Sequence, residues 1–118
     1  MPASLPAYPF IAAAIDIGGT KIAGALVTFT AFDEAPQVTN AFSIPCAPER
    51  GGGAVLATVI DVAERLIASA AQASVPLIGI GVDAAGIVDP ETGSIAYANE
   101  IMPGWTGQPV RERLVTAH

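Results

Sequence analysis

Apolar residues recur along this chain with different spacings, and each spacing predicts an element. From Phe10 to Ile17 they run almost unbroken, which predicts a buried strand, and Ile22 to Thr30 reads as its partner. The short Gly-containing link between the two is a hairpin signal. Ala31 to Pro36 is turn-like, with Asp33, Glu34 and Pro36, and Gln37 to Ile44 alternates moderately as a third antiparallel strand. Pro45 to Gly53, with two prolines and three consecutive glycines, predicts a loop.

The period then changes. Val55, Leu56, Val59, Ile60, Ala63, Leu66, Ile67 and Ala70 fall at helical spacing, with Asp61, Glu64, Arg65 and Gln72 on the other side. Pro76 disfavours helix at Val75, so the helix is expected to end near Ser74. Leu77 to Val82 is a short apolar strand, and a strand after a helix suggests a parallel crossover. Asp89-Pro90-Glu91-Thr92-Gly93 predicts a turn, Ser94 to Ala98 a small strand, and Pro103-Gly104-Trp105 a loop. Val110 to Thr116 begins a final helix, whose Arg111, Glu112 and Arg113 form a solvated face. The order is three strands, helix, strand, excursion, helix, with no internal repeat, low-complexity tract or interdomain linker.

Composition narrows the class. A chain of 118 residues is one domain by size. Its hydrophobic fraction of 52% and mean hydropathy of +0.53 are high for a soluble domain, although alanine and glycine account for much of this. An apolar face meant for another domain fits that excess. The net charge of −6, with five Lys and Arg, argues against nucleic acid as an electrostatic partner, but not against a nucleotide. Cys46 is the only cysteine, which excludes an intrachain disulfide and fits a reducing cytoplasm. Cys46 and His118 together are too few for a zinc site. Leu5 to Ile17 is apolar, yet no Lys or Arg precedes it and Pro2, Pro6 and Pro9 interrupt the N-terminal stretch, so Met1 to Pro9 reads as an irregular leader rather than a signal peptide. No apolar run reaches the roughly 20 residues that span a bilayer. A cytoplasmic protein without membrane or nucleic-acid partners is expected.

The chemistry-bearing stretch is Asp16-Ile17-Gly18-Gly19-Thr20-Lys21, set between the first two strands. Glycines let a backbone approach a phosphate closely, with their N–H groups aimed at its oxygens. Thr20 adds a hydroxyl donor, Lys21 a point charge, and Asp16 a carboxylate able to hold a hydrated Mg²⁺. A plain hairpin turn whose polar residues face water is the competing reading. Neither G-x-x-x-x-G-K-[ST] nor G-x-G-x-x-G occurs.

Three segments together resemble the N-terminal lobe of ROK-family sugar kinases, such as bacterial glucokinases and N-acetylhexosamine kinases. They are AIDIGGTKIAGALV (Ala14 to Val27), GIGVDAAGIVDPETGSI (Gly79 to Ile95) and YANEIMPGWTGQPVRERL (Tyr97 to Leu114). The first alone is shared with the wider actin-like and hexokinase-like ATPases; the three in this order are far more specific, and they cover essentially the whole chain after residue 10. The resemblance implies an α/β fold: the N-terminal lobe of an actin-like, ribonuclease H-like ATPase, with three antiparallel strands followed by helix, strand and helix. It implies a lobe over residues 10–118, with the lobe's last strand missing, and ATP and sugar in a cleft against a larger second lobe. It assigns Asp16, Gly18, Gly19, Thr20 and Lys21 to the phosphates and Mg²⁺, and Gly86 and Asn99 to the sugar. Many relatives carry Pro before the glycine matching Gly86, where this chain has Ala85.

Read from the residues alone, Gly86 is a turn glycine after a parallel strand, where ligand clefts are common. Asn99 is either a donor and acceptor for sugar hydroxyls or a loop Asn capping its own backbone. Trp105 either anchors its loop in the core or stacks on a sugar. Asp83 and Asp89 make a poor acid/base pair, because Asp89 opens a turn.

By the same resemblance, the base that takes the sugar hydroxyl's proton is an Asp in an Asn-Asp motif beyond His118, and so are the zinc-binding Cys/His cluster and the adenosine-binding segment. The expected function is therefore the N-terminal portion of an ATP-dependent kinase acting on a hexose or N-acetylhexosamine, at O6, with no catalytic residue in this chain. The portion is expected to be inactive alone, and the full-length protein a homodimer. Two alternatives stand beside it: a fragment of a sugar-responsive regulator of the same family, which a winged helix upstream would reveal, and a non-catalytic sugar- or nucleotide-binding remnant. An exposed edge on the Leu77 to Val82 strand is expected to favour self-association.

Overall fold

The computed structural model describes residues 7–84, 86–97 and 104–117. Strands β1 (Phe10–Ile17), β2 (Lys21–Phe29) and β3 (Gln37–Pro45) form an antiparallel meander, and a 3₁₀ turn at Pro48–Arg50 leads into helix α1 (Gly52–Ala70). Strand β4 (Leu77–Ala84) follows α1 and pairs parallel with β1, giving the order β3-β2-β1-β4. A small antiparallel pair, β5 (Ile87–Val88) and β6 (Ile95–Tyr97), and helix α2 (Val110–Ala117) complete the described chain. These are the mixed sheet and crossover helix expected of the actin-like N-terminal lobe.

One face of the sheet carries the core. In β1, Ile11, Ala13, Ile15 and Ile17 are buried, whereas Ala14 and Asp16 are exposed. The apolar run there is thus buried on one face only, and alanine disguises the alternation as an unbroken stretch. Val55, Leu56, Val59, Val62, Ala63 and Leu66 of α1 lie against that face. Fully burying each Val or Leu contributes roughly 1.5–3 kcal/mol. Val62 is buried although the helical spacing omitted it, while Ile60 and Ile67 are only half-buried. The helix approaches β2 so closely that a Cβ on Gly24 would lie 2.9 Å from Val62 Cγ1 and 3.1 Å from Leu66 Cδ1.

The ends of α1 differ from the sequence expectation. Its first turn contains Gly52 and Gly53, which the glycine run had assigned to a loop. Its last residue is Ala70, not Ser74; a tightened end follows, with Gln72 N–H donating to Ser69 O (3.1 Å) and Ala73 N–H to Ala70 O (3.0 Å). The two-residue strand β5 was not anticipated, since it is too short to show a period. The Asp89–Gly93 turn forms as read: Gly93 N–H donates to Asp89 O at 2.8 Å, with Gly93 at φ +71°. Trp105, Ile95, Val110 and Leu114 are buried and extend the core beyond the sheet.

Strand β4 forms one edge of the sheet, and among the described residues no strand pairs with its outer side. It carries neither Lys nor Pro, the usual devices that blunt an edge. Ile78 and Val82 on the strand, and Val88 and Val115 nearby, are exposed. Val82, Val88 and Val115 border an apolar recess of about 560 Å³ between β4, the β5–β6 pair and α2. Self-association through this edge is the expected outcome. Light scattering across a concentration series should show mass rising above that of a monomer, and Val82→Lys should restore the monomer. A wild-type chain that stays monomeric throughout would refute it.

Candidate functional site

Strand pairing brings the chemistry-bearing segments to one end of the sheet. The β1–β2 hairpin, in register from Phe10↔Phe29 to Ile17↔Ile22, turns through Gly18–Thr20. The parallel register places Asp83 beside Asp16 and Ala84 beside Ile17, so β4 ends next to the turn and delivers Gly86 there. The carboxyl end of parallel strands is where ligands of open α/β sheets bind.

The turn is held from two sides. Gly18 N–H donates to Lys21 O at 2.9 Å, closing the hairpin, and Cys46 N–H donates to Thr20 O at 2.9 Å, tying the turn to the end of β3. Cys46 is buried, and Arg50 clamps the loop around it through Cys46 O (2.8 Å), Ala47 O (3.2 Å) and Thr58 Oγ1 (3.1 Å). Burial pushes the Cys46 thiol above its ordinary value of 9.0; neighbouring Arg50 opposes this and Glu49 adds to it. Sequence reading missed Cys46 and Arg50 as supports of the turn, because their contacts come from the fold and not from any motif.

The two turn glycines are glycine for reasons other than backbone conformation. Neither has a positive φ, in contrast to Gly86 at +92°. A Cβ on Gly18 would lie 3.1 Å from Lys21 O, which is tight, whereas a Cβ on Gly19 would meet nothing within 4 Å. The protein itself therefore does not require glycine at position 19. A plain hairpin explanation predicts a left-handed glycine there, and the structure does not have one.

Asp16, Thr20 and Lys21 are exposed around this turn, and among the described residues no hydrogen bond or ion pair engages their side chains. Asp16 and Asp83 are both exposed and border a shallow groove on the sheet face opposite α1, floored by small residues including Ala14, Ala23, Ala25 and Gly81. Among the described residues no group of three or more His, Cys, Asp and Glu could hold a metal ion. A hydrated Mg²⁺ demands less, one or two carboxylates plus substrate phosphates, and an unpaired Asp16 beside an open Gly19 fits that requirement.

The remaining candidates separate. Gly86 is exposed, and its positive φ gives the turn its own need for glycine. Asn99 and Ala85 lie outside the described residues. Trp105 is fully buried, which favours loop anchoring over sugar stacking. Asp89 accepts the Glu91 N–H at 2.9 Å through Oδ1 and so is occupied in its turn, away from acid/base work. Arg111, read as part of a solvated face, is exposed but donates to Pro90 O (3.4 Å) and Glu91 O, pinning the same turn to α2.

Residues 12–117 match the ROK family. A glucokinase of Halalkalibacterium halodurans is 29% identical over 100 residues, covering 85% of this chain and 28% of that protein. Among solved structures, a ROK hexokinase from Thermus thermophilus superposes with a TM-score of 0.68 at 29% identity, over 92% of this chain and 32% of that one. An inorganic polyphosphate/ATP-glucomannokinase from Arthrobacter sp. strain KM superposes with a TM-score of 0.65 at 23% identity, over 92% of this chain and 40% of that one. The chain thus spans between 28% and 40% of the length of these relatives.

The buried thiol beneath the turn sets a pH dependence. Above 9.0 the unfolded chain sheds the Cys46 proton while the folded chain retains it, so the unfolded state binds fewer protons and stability falls as pH rises. Below 9.0 both states hold the proton and the contribution is flat. Denaturant melts of wild type and Cys46→Ala should therefore differ by a constant amount below that pH and converge above it. A difference that stays constant at all pH values would contradict the assignment.

Proposed function

The chain belongs to the ROK family, and from that premise we propose that it is the phosphate-binding portion of an ATP-dependent sugar kinase. The observation that carries this reading is Gly19, whose missing side chain leaves open space at the carboxyl end of β1 and serves no need of the fold. A ligand that approaches the backbone closely accounts for it, and a phosphate with its many acceptor oxygens is the ligand that a Gly-Gly-Thr-Lys turn suits.

In this reading the amides of Gly18 and Gly19, the Thr20 hydroxyl and the Lys21 ammonium hold the phosphates of ATP. Asp16 holds Mg²⁺ through water, and the ion, when bound, neutralises charge on those phosphates. The contribution is positioning and electrostatic stabilisation, which is most of what phosphoryl transfer requires. The acceptor is a hexose or N-acetylhexosamine, bound near Gly86 and Asn99, and the γ-phosphate passes to a sugar hydroxyl, O6. In this reading the residue that takes the hydroxyl proton belongs to another part of the enzyme, and this portion alone does not catalyse transfer. The whole enzyme acts as a homodimer.

The test is substitution at the turn in the complete kinase. Asp16→Ala should lower kcat by at least about 100-fold, the scale of removing one electrostatic contact to the transition state, with sugar binding by calorimetry nearly unchanged. Gly19→Ala should raise the KM for ATP without loss of thermal stability. If Asp16→Ala abolishes sugar binding instead, the carboxylate belongs to the sugar; if Gly19→Ala leaves the ATP KM unchanged, the phosphate is not at this turn.

A further inference from the structure

Pro45 ends β3 opposite Lys21 and, as a proline, has no N–H to give the turn. The Cys46 amide is therefore the donor that carries the β2–β3 ladder onto Thr20 O. Whatever holds Cys46 decides where that donor sits. Its side chain is buried, and its carbonyl accepts from Arg50 Nη2 at 2.8 Å. The same nitrogen donates to Thr58 Oγ1 in α1 at 3.1 Å. The Thr58 hydroxyl gives its one proton to Ala54 O at 3.1 Å, which leaves a lone pair for Arg50.

The next residue shows that this loop is held and not relaxed. Ala47 is left-handed, at φ +47° and ψ +60°, a conformation that a residue with a Cβ keeps only where its surroundings impose it. Its carbonyl accepts from the Arg50 amide at 3.1 Å and from Arg50 Nε at 3.2 Å. One planar guanidinium thus grips the carbonyls of Cys46 and Ala47 and the hydroxyl of Thr58. A lysine cannot copy that fork.

We propose that Arg50 is a positioning residue for the nucleotide: by locking the chain on both sides of Cys46 to α1, it fixes the side of the turn that carries Thr20 and so sets the affinity for ATP. The inference rests on the reading of this turn as the phosphate site. Without the guanidinium, α1 no longer holds the Cys46 carbonyl and Ala47 is released from its left-handed conformation. The amide that steadies Thr20 O then moves with them. The bond from Gly18 N–H to Lys21 O still closes the hairpin, so the turn loses its placement and keeps its shape. Misplacement by about 1 Å at a binding or reacting group is enough to lose roughly 100-fold. Strand β4, which leads to Gly86, is held by β1 and not by this loop, so the effect falls on the nucleotide and spares the sugar.

In the complete kinase, Arg50→Ala is expected to raise the KM for ATP at least about tenfold, with the KM for sugar unchanged, and to speed hydrogen exchange at the Cys46 amide. Arg50→Lys keeps the charge without the fork and is expected to behave as Arg50→Ala does. Thr58→Val removes the helix's acceptor and is expected to move both readouts the same way by less. Should Arg50→Ala fail to fold, Thr58→Val carries the test, and wild-type values there refute the proposal. Wild-type exchange and ATP KM in Arg50→Ala refute it directly. An Arg50→Lys enzyme with the wild-type KM shows that charge and not placement matters, and a KM that rises equally for ATP and sugar shows general loosening; either outcome overturns the positioning role. If Cys46 exchange speeds and the ATP KM does not move, while Gly19→Ala still raises it, the link from Arg50 to the nucleotide is refuted and the turn keeps its phosphate. If neither Arg50→Ala nor Gly19→Ala moves the ATP KM, the phosphate reading falls and this proposal falls with it.

Discussion

The parallel pairing of β1 with β4 is the constraint from which the site follows. A parallel partner cannot be reached through a hairpin, so the chain must cross the sheet, and α1 is that crossing. The crossing buries one face of the sheet under Val55, Val59, Val62 and Leu66. Because both strands run the same way, their carboxyl ends coincide: Asp16 lies beside Asp83, and the Gly18–Thr20 turn beside the exit toward Gly86. Run antiparallel to β1 in the same place, β4 would have ended at the other end of the sheet, far from the turn.

Much of this was legible in the sequence because it is local. The first three strands, α1, β4 and the Asp89–Gly93 turn each announce themselves through a period or a turn composition, and the motif at Asp16–Lys21 through residue type and spacing. Illegible features depend on what meets what after folding. The alternation of β1 is hidden by alanine on its open face, and the early start of α1 by glycines that sequence statistics place in loops. The same holds at the site. Its polar residues could be named in advance, but the support from Cys46 and Arg50 connects segments that share no pattern.

The glycines illustrate how one residue type answers several physical demands. Gly86 and Gly93 are required by a positive φ, Gly24 and Gly52 by the close approach of another element, and Gly19 by neither. Composition alone would have treated them alike. Gly53 and Gly79 also lack a conformational or steric reason; what sets Gly19 apart is its place in the turn at the carboxyl end of β1, between Asp16 and Lys21.

The hydrogen bond from Cys46 to Thr20 bears on how far the phosphate turn can travel as a module. The turn's geometry is closed locally by Gly18 and Lys21, but its far side is fixed by a residue that reaches it only after β2 and β3 have paired. The six residues Asp16 to Lys21 grafted onto a foreign hairpin would keep their chemistry and lose that tether. The tether belongs to the paired meander, and the Arg50 clamp beside it reaches Thr58 in α1, so the turn's support spans strands and helix together.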